Sequence, residues 1–415
     1  MKTTLFRRIS TLMTCAEAMK KQGRKIVEQD LSFYKNYSMI VTGKTISWIG
    51  PDQQVPKKLK VTEELDCRSF QIYPGFIECH THLGFAGHRA DEFEMRLNGV
   101  SYQQINQNGG GIQSTMKQTR KINYQSLFEQ TQARANQFLK QGVTTLEAKS
   151  GYGLDLKTEE KVLQVYSELK GPKIIKTYLG PHSLPPEFQN HDEYIDYICK
   201  KVLPRIHKKK LAERVDIFVE KGFFTSEQAL RYFRQAKSFG FEVVIHADQF
   251  SLSGGSDVAL QVGALSADHV IEIGDLEINK FSKSNVTCVL LPMADFYMRC
   301  SYPKARKMID SGVRVAVATD FNPGSSPSQN LSFCGLLARL EMKMTLPEVI
   351  GAYTAGASYA LNKQSLVGSL EVGKSADFVL SRKDWTELFY SADSLDCDFV
   401  YIDGRRRYSA SHYKI

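Results

Sequence analysis

The stretch YPGFIECHTH, residues 73–82, runs from a short apolar segment into two histidines at alternate positions. A short apolar run bounded by turn residues is typical of a strand buried on both faces. Seven further runs follow, separated by segments with helical periodicity such as Thr158 to Leu169 and Ser226 to Ser238. The eight runs end near His82, Gly151, His182, Glu220, Asp248, His269, Pro292 and Asp320. Eight strand–helix units in succession predict an α/β protein with a parallel (β/α)₈, TIM-like barrel.

The two ends of the chain show a different pattern, with short β-rich segments separated by turn residues. These segments are Lys25-Ile26-Val27, residues 38–41 and residues 45–49 on one side, and residues 376–380 and 399–402 on the other, the last followed by the turn signal Asp403-Gly404. We therefore predict that residues 1–70 and 365–415 are the two parts of a small β-sandwich domain, and that residues 71–364 form the barrel.

The composition is that of a globular protein of enzyme size. The chain has 415 residues, 42% of them apolar and 24% charged, which excludes disordered, collagen-like and coiled-coil classes. The net charge is +9, from 54 basic and 45 acidic side chains. The sequence lacks a dense basic stripe with interleaved aromatic residues, which is the pattern that would indicate nucleic-acid binding. The clusters Lys208-Lys209-Lys210 and Arg405-Arg406-Arg407 are interpreted as solvated surface.

Cysteine usage and hydropathy indicate the compartment. The eight cysteines are scattered and form no C-x-x-C pair, which favours free thiols in a reducing compartment. The sequence contains no run of about 18 apolar residues, the length that a membrane-spanning helix requires. Residues 1–20 lack the continuous apolar region of a secretory signal. The sequence therefore predicts a cytoplasmic protein without a membrane partner.

Polar residues gather where the predicted barrel strands end. The chain has nine histidines, and five of them lie there: His80, His82, His182, His246 and His269. The carboxyl ends of all strands meet on one face of such a barrel, so residues far apart in sequence meet at one site. His80 and His82, at positions i and i+2 of a strand, point to the same side.

A metal site follows from this placement. His80, His82 and His246, with Asp320 at the end of the eighth strand, give three imidazoles and one carboxylate. This ligand set suits Zn²⁺ or Fe²⁺ and leaves an open position for water. Such a cation lowers the pKa of a bound water toward about 7. His269 is then a candidate for polarising a carbonyl or holding the attacking water. For each residue alone, the alternative is a hydrogen-bonded residue at a strand end.

The chain resembles the amidohydrolase superfamily over essentially its whole length. The H-x-H motif with a late aspartate identifies only the superfamily. The segments RLNGVSY (96–102), GGGIQST (109–115), KSGYGL (149–154), HADQ (246–249) and DFNPGS (320–325) are more specific. They resemble the members that hydrolyse the ring of 4-imidazolone-5-propanoate to N-formimidoyl-L-glutamate in histidine degradation. The resemblance implies one Zn²⁺ or Fe²⁺/Fe³⁺ ion per subunit and a homodimer.

A substrate with a carboxylate tail is implied by the same resemblance, and the residues fit it. Arg89 offers a planar fork for a carboxylate, the alternative being a surface arginine. Tyr152 lies between two glycines that let the backbone approach a ligand, the alternative being a packing tyrosine. His182 is expected to donate to a substrate oxygen. Amide and hydroxyl donors for substrate or product are expected from the residues after Asp320, namely Asn322, Gly324 and Ser325.

Gln249 stands three residues after His246, where some relatives have a glutamate. A glutamine side chain cannot accept a proton. Proton transfer is therefore expected to depend on Asp320 and His269, while Gln249 orients ring N–H or carbonyl groups of the substrate. Glu220, at the end of the fourth strand, is interpreted as a structural carboxylate bonded to backbone or to Lys149.

Two alternatives stay open at this point. The first is a deaminase of the same superfamily that acts on a nucleobase or an amino-heterocycle. Arg89 and the Gly-Tyr-Gly loop argue against it, because a nucleobase has no acidic tail. The second is a barrel that has lost its metal and its activity. The presence of all four expected metal ligands argues against this reading.

Overall fold

The computed structural model describes residues 2–58, 60–101, 104–105 and 109–411. Tyr102, which ends the RLNGVSY segment, lies outside the described residues, as do the last four residues of the predicted C-terminal part. Every helix in the described ranges is too short or too polar to cross a membrane. All eight cysteines are free thiols.

The centre of the chain is an eight-stranded parallel barrel, as predicted. In chain order its strands are Phe76–Glu78, Val143–Lys149, Lys173–Tyr178, Arg214–Val215 with Phe218–Val219, Glu242–Val243 with Ile245–Ala247, Ser266–His269, Thr287–Leu290 and Val315–Val317. Each strand pairs in parallel with the next one. A parallel bridge between Thr81 and Phe321 connects the eighth strand to the first. The barrel is therefore closed at the end where the site residues lie.

Helices connect and surround the barrel strands. They are Ala90–Leu97, Ile112–Lys121, Tyr124–Lys140, Leu156–Glu168, His191–Tyr197, Leu203–Lys209, Ser226–Ser238, Gly255–Val262, Asp275–Ser282, Pro292–Met298, Ala305–Asp310, Leu331–Leu340, Leu346–Gly351 and Ala357–Ala360. Side-chain caps set several starts: the Asp155 carboxylate accepts from the Thr158 N–H, and the Thr225 hydroxyl from the Gln228 N–H. Of the two helices predicted by residue number, Ser226–Ser238 has the predicted limits, and the other shifts by two residues at its start.

Apolar spacing explains how these helices dock. The helix Leu156–Glu168 buries Val162, Leu163 and Tyr166, which share one face. The Tyr166 hydroxyl also donates to the carbonyl of Lys149 and accepts from the N–H of Gly84. One helix is thereby fixed to the ends of the first two barrel strands, next to the candidate site.

The two chain ends form a sandwich of two sheets, also as predicted. One sheet has the order Thr45–Pro51, Tyr37–Thr42, Thr3–Ile9, Glu63–Asp66, and the other has the order Arg405–Ser409, Phe399–Ile402, Phe378–Ser381, Gln71–Pro74, Thr11–Met13, Phe33–Tyr34. Apolar side chains of both sheets share one core. In it the rings of Phe6 and Phe378 meet edge to face at 5.0 Å. The domain limits 70/71 and 364/365 stay predictions, although strand pairing puts Gln71–Pro74 in the sandwich.

One predicted strand is wrong. Lys25-Ile26-Val27 forms no strand, because Lys25 has a φ of 46°, which an extended chain cannot adopt. Ile26 is buried instead, and its Cγ1 lies 3.0 Å from where a Cβ on Gly351 would stand. Of the two β-branched side chains that suggested a strand, Ile26 packs against the barrel, whereas Val27 is exposed.

Candidate metal centre and active site

Three histidines meet at the carboxyl end of the barrel. His80, His82 and His246 bring one ligand atom each to within 4.8 Å of one another. Oδ1 of Asp320 lies 3.3 Å from Nε2 of His80 and 3.4 Å from Nε2 of His82. All four side chains are buried. The structure thus brings together the four residues predicted as metal ligands.

Two aspartates that the sequence analysis missed orient two of these imidazoles. Nδ1 of His80 lies 2.7 Å from Oδ2 of Asp268, and Nδ1 of His246 lies 2.9 Å from Oδ2 of Asp216. A carboxylate only accepts, so Nδ1 of His80 carries the hydrogen and Nε2 is the ligand atom of that ring. Nδ1 of His246 is at ion-pair distance from Asp216 but outside hydrogen-bonding geometry. The only signal for these two aspartates in the sequence is that each is an acidic residue within an apolar strand: Asp216, and Asp268 just before His269.

The unpartnered atoms of the cluster fit a cation. Nε2 of His80, Nε2 of His246 and Oδ1 of Asp320 are buried and have no hydrogen-bond partner within the described part of the chain. Buried polar atoms of this kind are rare in proteins, and several at one point indicate a ligand that satisfies them. Imidazole nitrogens with one carboxylate oxygen are donors that suit Zn²⁺ and iron.

Without a bound cation, the side chains of His80 and Asp320 are both charged at neutral pH. Burial and the Lys149 ammonium lower the pKa of His80, but the carboxylates of Asp268 and Asp320 raise it more, to about 9. Burial opposes ionisation of Asp320, yet the imidazoles of His80 and His82 outweigh it and hold its pKa well below the usual value. At neutral pH Asp320 is therefore a carboxylate facing an imidazolium.

A cavity of about 40 Å³ opens beside the cluster and collects most of the predicted site residues. Its polar lining consists of His82, Arg89, Tyr152, His182, His246, Gln249, His269, Asp320, Asn322 and Ser325. Its apolar lining consists of Ile112, Phe218, Phe250 and Met298. Among the predicted site residues, only His80 and Gly324 do not line it.

Arg89 is buried, with 6% of its surface exposed, and is not the surface arginine of the alternative reading. Its guanidinium packs on Gly324, where a Cβ would lie 1.4 Å from Nη2. Oε2 of Glu92 lies 3.9 Å from Nε of Arg89. Nη2 of Arg96 donates to the carbonyl oxygen of Gly324 at 3.2 Å. Gly324 therefore gives the guanidinium its space in the wall of the cavity.

Comparison with known proteins agrees with this geometry. Residues 71–407 match the model of the amidohydrolase family. The chain is 53% identical over 405 residues to the imidazolonepropionase of Bdellovibrio bacteriovorus, covering 97% of this chain and 96% of that protein. It is 40% identical over 388 residues to the imidazolonepropionase of Geobacillus kaustophilus, covering 92% of both. The chain belongs to the imidazolonepropionase family of amidohydrolases.

Solved structures share the fold of this imidazolonepropionase-family chain at low identity. A triazine hydrolase variant is 16% identical, with a TM-score of 0.77 over 99% of this chain and 95% of that one. An adenosine deaminase from Xanthomonas campestris with bound zinc is 15% identical, with a TM-score of 0.73 over 98% of this chain and 93% of that one. These two structures confirm the barrel and its flanking sandwich.

The structure reverses the expected hydrogen bond of His182 in this family member. Nδ1 of His182 lies 2.9 Å from the carbonyl oxygen of Gly151. A carbonyl only accepts, so Nδ1 carries the hydrogen of the neutral ring and Nε2 is an acceptor. Burial lowers the pKa of His182 well below its ordinary value, so the ring is neutral. Nε2 of His182 is thus free to accept from a substrate N–H, in contrast to the predicted donation to a substrate oxygen.

The loop after the eighth strand is tied together by Asn322. Its Nδ2 donates to the carbonyl of Asp320 and to Oγ of Ser325, and its Oδ1 accepts from the N–H groups of Gly324 and Ser325. Oγ of Ser325 lies 3.5 Å from Oδ2 of Asp320. Asn322 therefore shapes the loop next to the cluster, and its contact with a ligand stays a prediction.

Three polar residues at strand ends beside the cavity have left-handed backbone. Asp248, His269 and Asp320 have φ values of 49°, 76° and 53°, in a region that residues other than glycine rarely adopt. Each stands at the end of a barrel strand. Such strain is retained where the surrounding structure enforces it, which is common at active sites. Nothing in the sequence indicates this conformation.

Glu220 has the structural role that the sequence analysis preferred, through the backbone and not through Lys149. Its carboxylate accepts from the N–H groups of Lys221, Phe250 and Ser251 and from the hydroxyl groups of Ser251 and Ser253. These bonds hold the loop that directly follows Gln249. Glu220 thus fixes one wall of the cavity from outside.

Proposed function

We propose that this chain hydrolyses 4-imidazolone-5-propanoate to N-formimidoyl-L-glutamate, the imidazolonepropionase step of histidine degradation, in the cytoplasm. The observation that carries the proposal is one buried guanidinium, Arg89, in the wall of the same small cavity as the histidine cluster. A cyclic amide with an acidic tail needs both a cation for the tail and a site for water attack. The relatives at 53% and 40% identity carry the name of this activity.

One Zn²⁺ or iron ion per subunit completes the site in this proposal, held by His80, His82, His246 and Asp320. When bound, such a cation supplies Lewis-acid chemistry and makes water a good nucleophile near neutral pH. The zinc bound by the deaminase of the same fold supports a metal at this place. The remaining work of binding, orientation and proton transfer falls to side chains of the chain itself.

Substrate orientation begins at the acidic tail. Arg89 binds the carboxylate through its planar fork, which fixes both the charge and the direction of the tail. At the ring, Nε2 of His182 accepts from a ring N–H, and the Gln249 amide bonds to a ring N–H or carbonyl. Tyr152 forms the wall between them, its ring 5.4 Å from that of His182.

Proton transfer runs through Asp320 and His269. Asp320 is ionised at neutral pH and accepts a proton from the attacking water as the new C–O bond forms. It returns the proton to the ring nitrogen as the C–N bond breaks. Burial lowers the pKa of His269 well below its ordinary value, so a neutral His269 can hold the water or donate to the carbonyl oxygen. Gln249 takes no part in this transfer, because an amide cannot accept the proton.

A spectrophotometric assay with freshly generated imidazolonepropanoate tests the proposal. We expect loss of the substrate absorbance and formation of N-formimidoyl-L-glutamate without ammonia, and loss of turnover after chelation. Turnover of an amino-heterocycle with release of ammonia would instead support the deaminase alternative. The proposal includes a homodimer, which light scattering of the purified protein checks, and no nucleic-acid or membrane partner.

A further inference from the structure

A buried ion network lies beneath the histidine cluster. The Lys149 ammonium lies 2.8 Å from Oδ2 of Asp216, 3.0 Å from Oε1 of Glu147 and 3.4 Å from Oδ2 of Asp268. All four side chains are 1% exposed or less. An ammonium has three hydrogens to donate, and three carboxylates receive them here. The mechanism above uses none of these interactions.

Two of these carboxylates are the ones that orient the metal ligands. Oδ2 of Asp268 accepts from Nδ1 of His80, and Oδ2 of Asp216 lies 2.9 Å from Nδ1 of His246. His80 follows the first barrel strand and His246 lies on the fifth, whereas Lys149 ends the second. One ammonium therefore connects the supports of two imidazoles that come from distant parts of the barrel.

We propose that Lys149 is a positioning residue for the metal centre. It holds Asp216 and Asp268 in place. Asp268 fixes Nδ1–H of His80 by a hydrogen bond, and Asp216 faces Nδ1 of His246 at 2.9 Å, so that both imidazoles are directed at one point. The inference rests on the metal site of the proposed function. Carboxylates that bind the far side of ligand histidines commonly set their orientation and basicity.

The two aspartates depend on Lys149 to different degrees. Asp216 also accepts from the backbone N–H groups of Ile217 and His246 through Oδ1. Oδ1 of Asp268 has no hydrogen-bond partner in the part of the chain that the structure describes. Among the described residues, the Asp268 carboxylate is thus held by His80 and Lys149 alone. Removal of the ammonium should therefore disturb the orientation of His80 more than that of His246.

Glu147 anchors the Lys149 ammonium to the interior of the barrel. Its Oε1 accepts from Nη2 of Arg214 at 2.7 Å and from Oγ1 of Thr177 at 2.5 Å, in addition to Lys149. Nη1 of Arg214 donates in turn to the carbonyl of Ala360. The position of the ammonium is therefore set by the barrel interior and not by the metal ligands. A planar guanidinium at position 149 would not direct three hydrogens to three separate carboxylates.

The test compares Lys149→Met with wild-type protein, using Zn²⁺ alone and no substrate. We expect the affinity for Zn²⁺, measured by competition with a chelator, to fall by about 10- to 100-fold. In ¹⁵N-histidine NMR spectra of the zinc-bound protein, the His80 signals should lose their single Nδ1–H form while those of His246 keep it. Unchanged affinity together with an unchanged His80 spectrum would overturn the proposal.

Lys161→Met is the matched control. The Lys161 ammonium also has three oxygen partners, the carbonyls of Thr119, Arg120 and Ile122, on the outside of the barrel. Its loss should lower the melting temperature but leave Zn²⁺ affinity and the histidine spectrum unchanged. An equal loss of affinity in this control would show that general destabilisation, and not positioning, explains the result, and would overturn the proposal.

A second variant covers the case in which Lys149→Met does not fold. Lys149→Met/Glu147→Gln removes one positive and one negative charge and so keeps the net charge of the network. We expect the same loss of Zn²⁺ affinity in this variant, and wild-type affinity would overturn the proposal. Wild-type protein that binds Zn²⁺ but does not turn over the imidazolone would contradict the proposed function alone.

Discussion

Nη2 of Arg89 occupies the space of a side chain at position 324, because a Cβ on Gly324 would stand 1.4 Å from it. The glycine is needed for room and not for an unusual backbone angle, since its φ lies outside the left-handed region. The position of the guanidinium proposed to bind the acidic tail therefore depends on a residue that has no side chain.

Gly324→Ala should reproduce the kinetic defect of Arg89→Ala. Either change removes the guanidinium from the cavity wall and should lower kcat/KM by about 10²-fold, the scale of about 3 kcal/mol for a charge-assisted contact. Metal content should not change. Arg89→Lys should not restore activity fully, because a point charge replaces a fork.

Gly274→Ala is the control for this pair. Gly274 lies just before the outer helix Asp275–Ser282 and has a φ of −99°. A Cβ on Gly274 would contact only Oε2 of Glu277, at 3.2 Å. Its kinetics should equal those of wild type. Wild-type kinetics in Arg89→Ala would instead show that the tail binds elsewhere.

His80→Ala and His246→Ala should each remove bound metal and turnover while the fold persists. The large core carries the stability of the protein, so loss of one imidazole at the barrel end does not unfold it. Elemental analysis and circular dichroism check the two statements. His207→Ala, on the outer helix Leu203–Lys209, should keep both metal and activity. Full activity in metal-free His80→Ala would exclude the mechanism.

Metal uptake by the metal-free protein should release about one proton at pH 7. The pKa of His80 is about 9, so its ring carries a proton on Nε2 that a cation must displace. The pKa of His82 is lowered to about 4, chiefly by burial, so His82 adds none. Protons compete with the cation, and affinity should therefore rise with pH up to about 9 and then level off. Calorimetry in buffers of different ionisation enthalpy measures the proton count, and a count of zero would show a neutral His80.

Gln249 and His269 should separate binding from proton transfer. Gln249→Ala should raise KM with a modest loss of kcat and an unchanged shape of the pH–rate profile. His269→Ala should lower kcat by about 10²-fold or more. The decisive measurement is the acidic limb of kcat/KM against pH. A limb that moves in Gln249→Glu, with near-normal rates in His269→Ala, would contradict the proposed proton path.

The meeting of the proposed metal ligands could be predicted from the sequence because it depends on one geometric rule. Parallel strands end on one face, so the strand-end residues His80, His82, His246 and Asp320 had to meet there. The pattern of apolar runs was enough to place those ends, even though the fourth and fifth strands are each interrupted.

The supports of these ligands were not predictable in the same way. Lys149 and Asp268 are 119 residues apart, and only the side-chain positions inside the barrel bring them together. The tautomer of His182 was not predictable for a similar reason, because the carbonyl of Gly151 sets it. The periodicity of apolar residues does not predict which polar side-chain atoms meet inside the barrel.

The pairing of Gln71–Pro74 with Phe378–Ser381 has a consequence during synthesis. The two segments are separated by about 300 residues, which a ribosome needs roughly 15–60 s to translate at about 5–20 residues per second. Until then the nascent chain carries an open strand edge at Gln71–Pro74 beside Thr11–Met13. Such an edge invites pairing with other chains. Chaperone capture should therefore be strongest while the barrel is being made and end only when the C-terminal strands emerge.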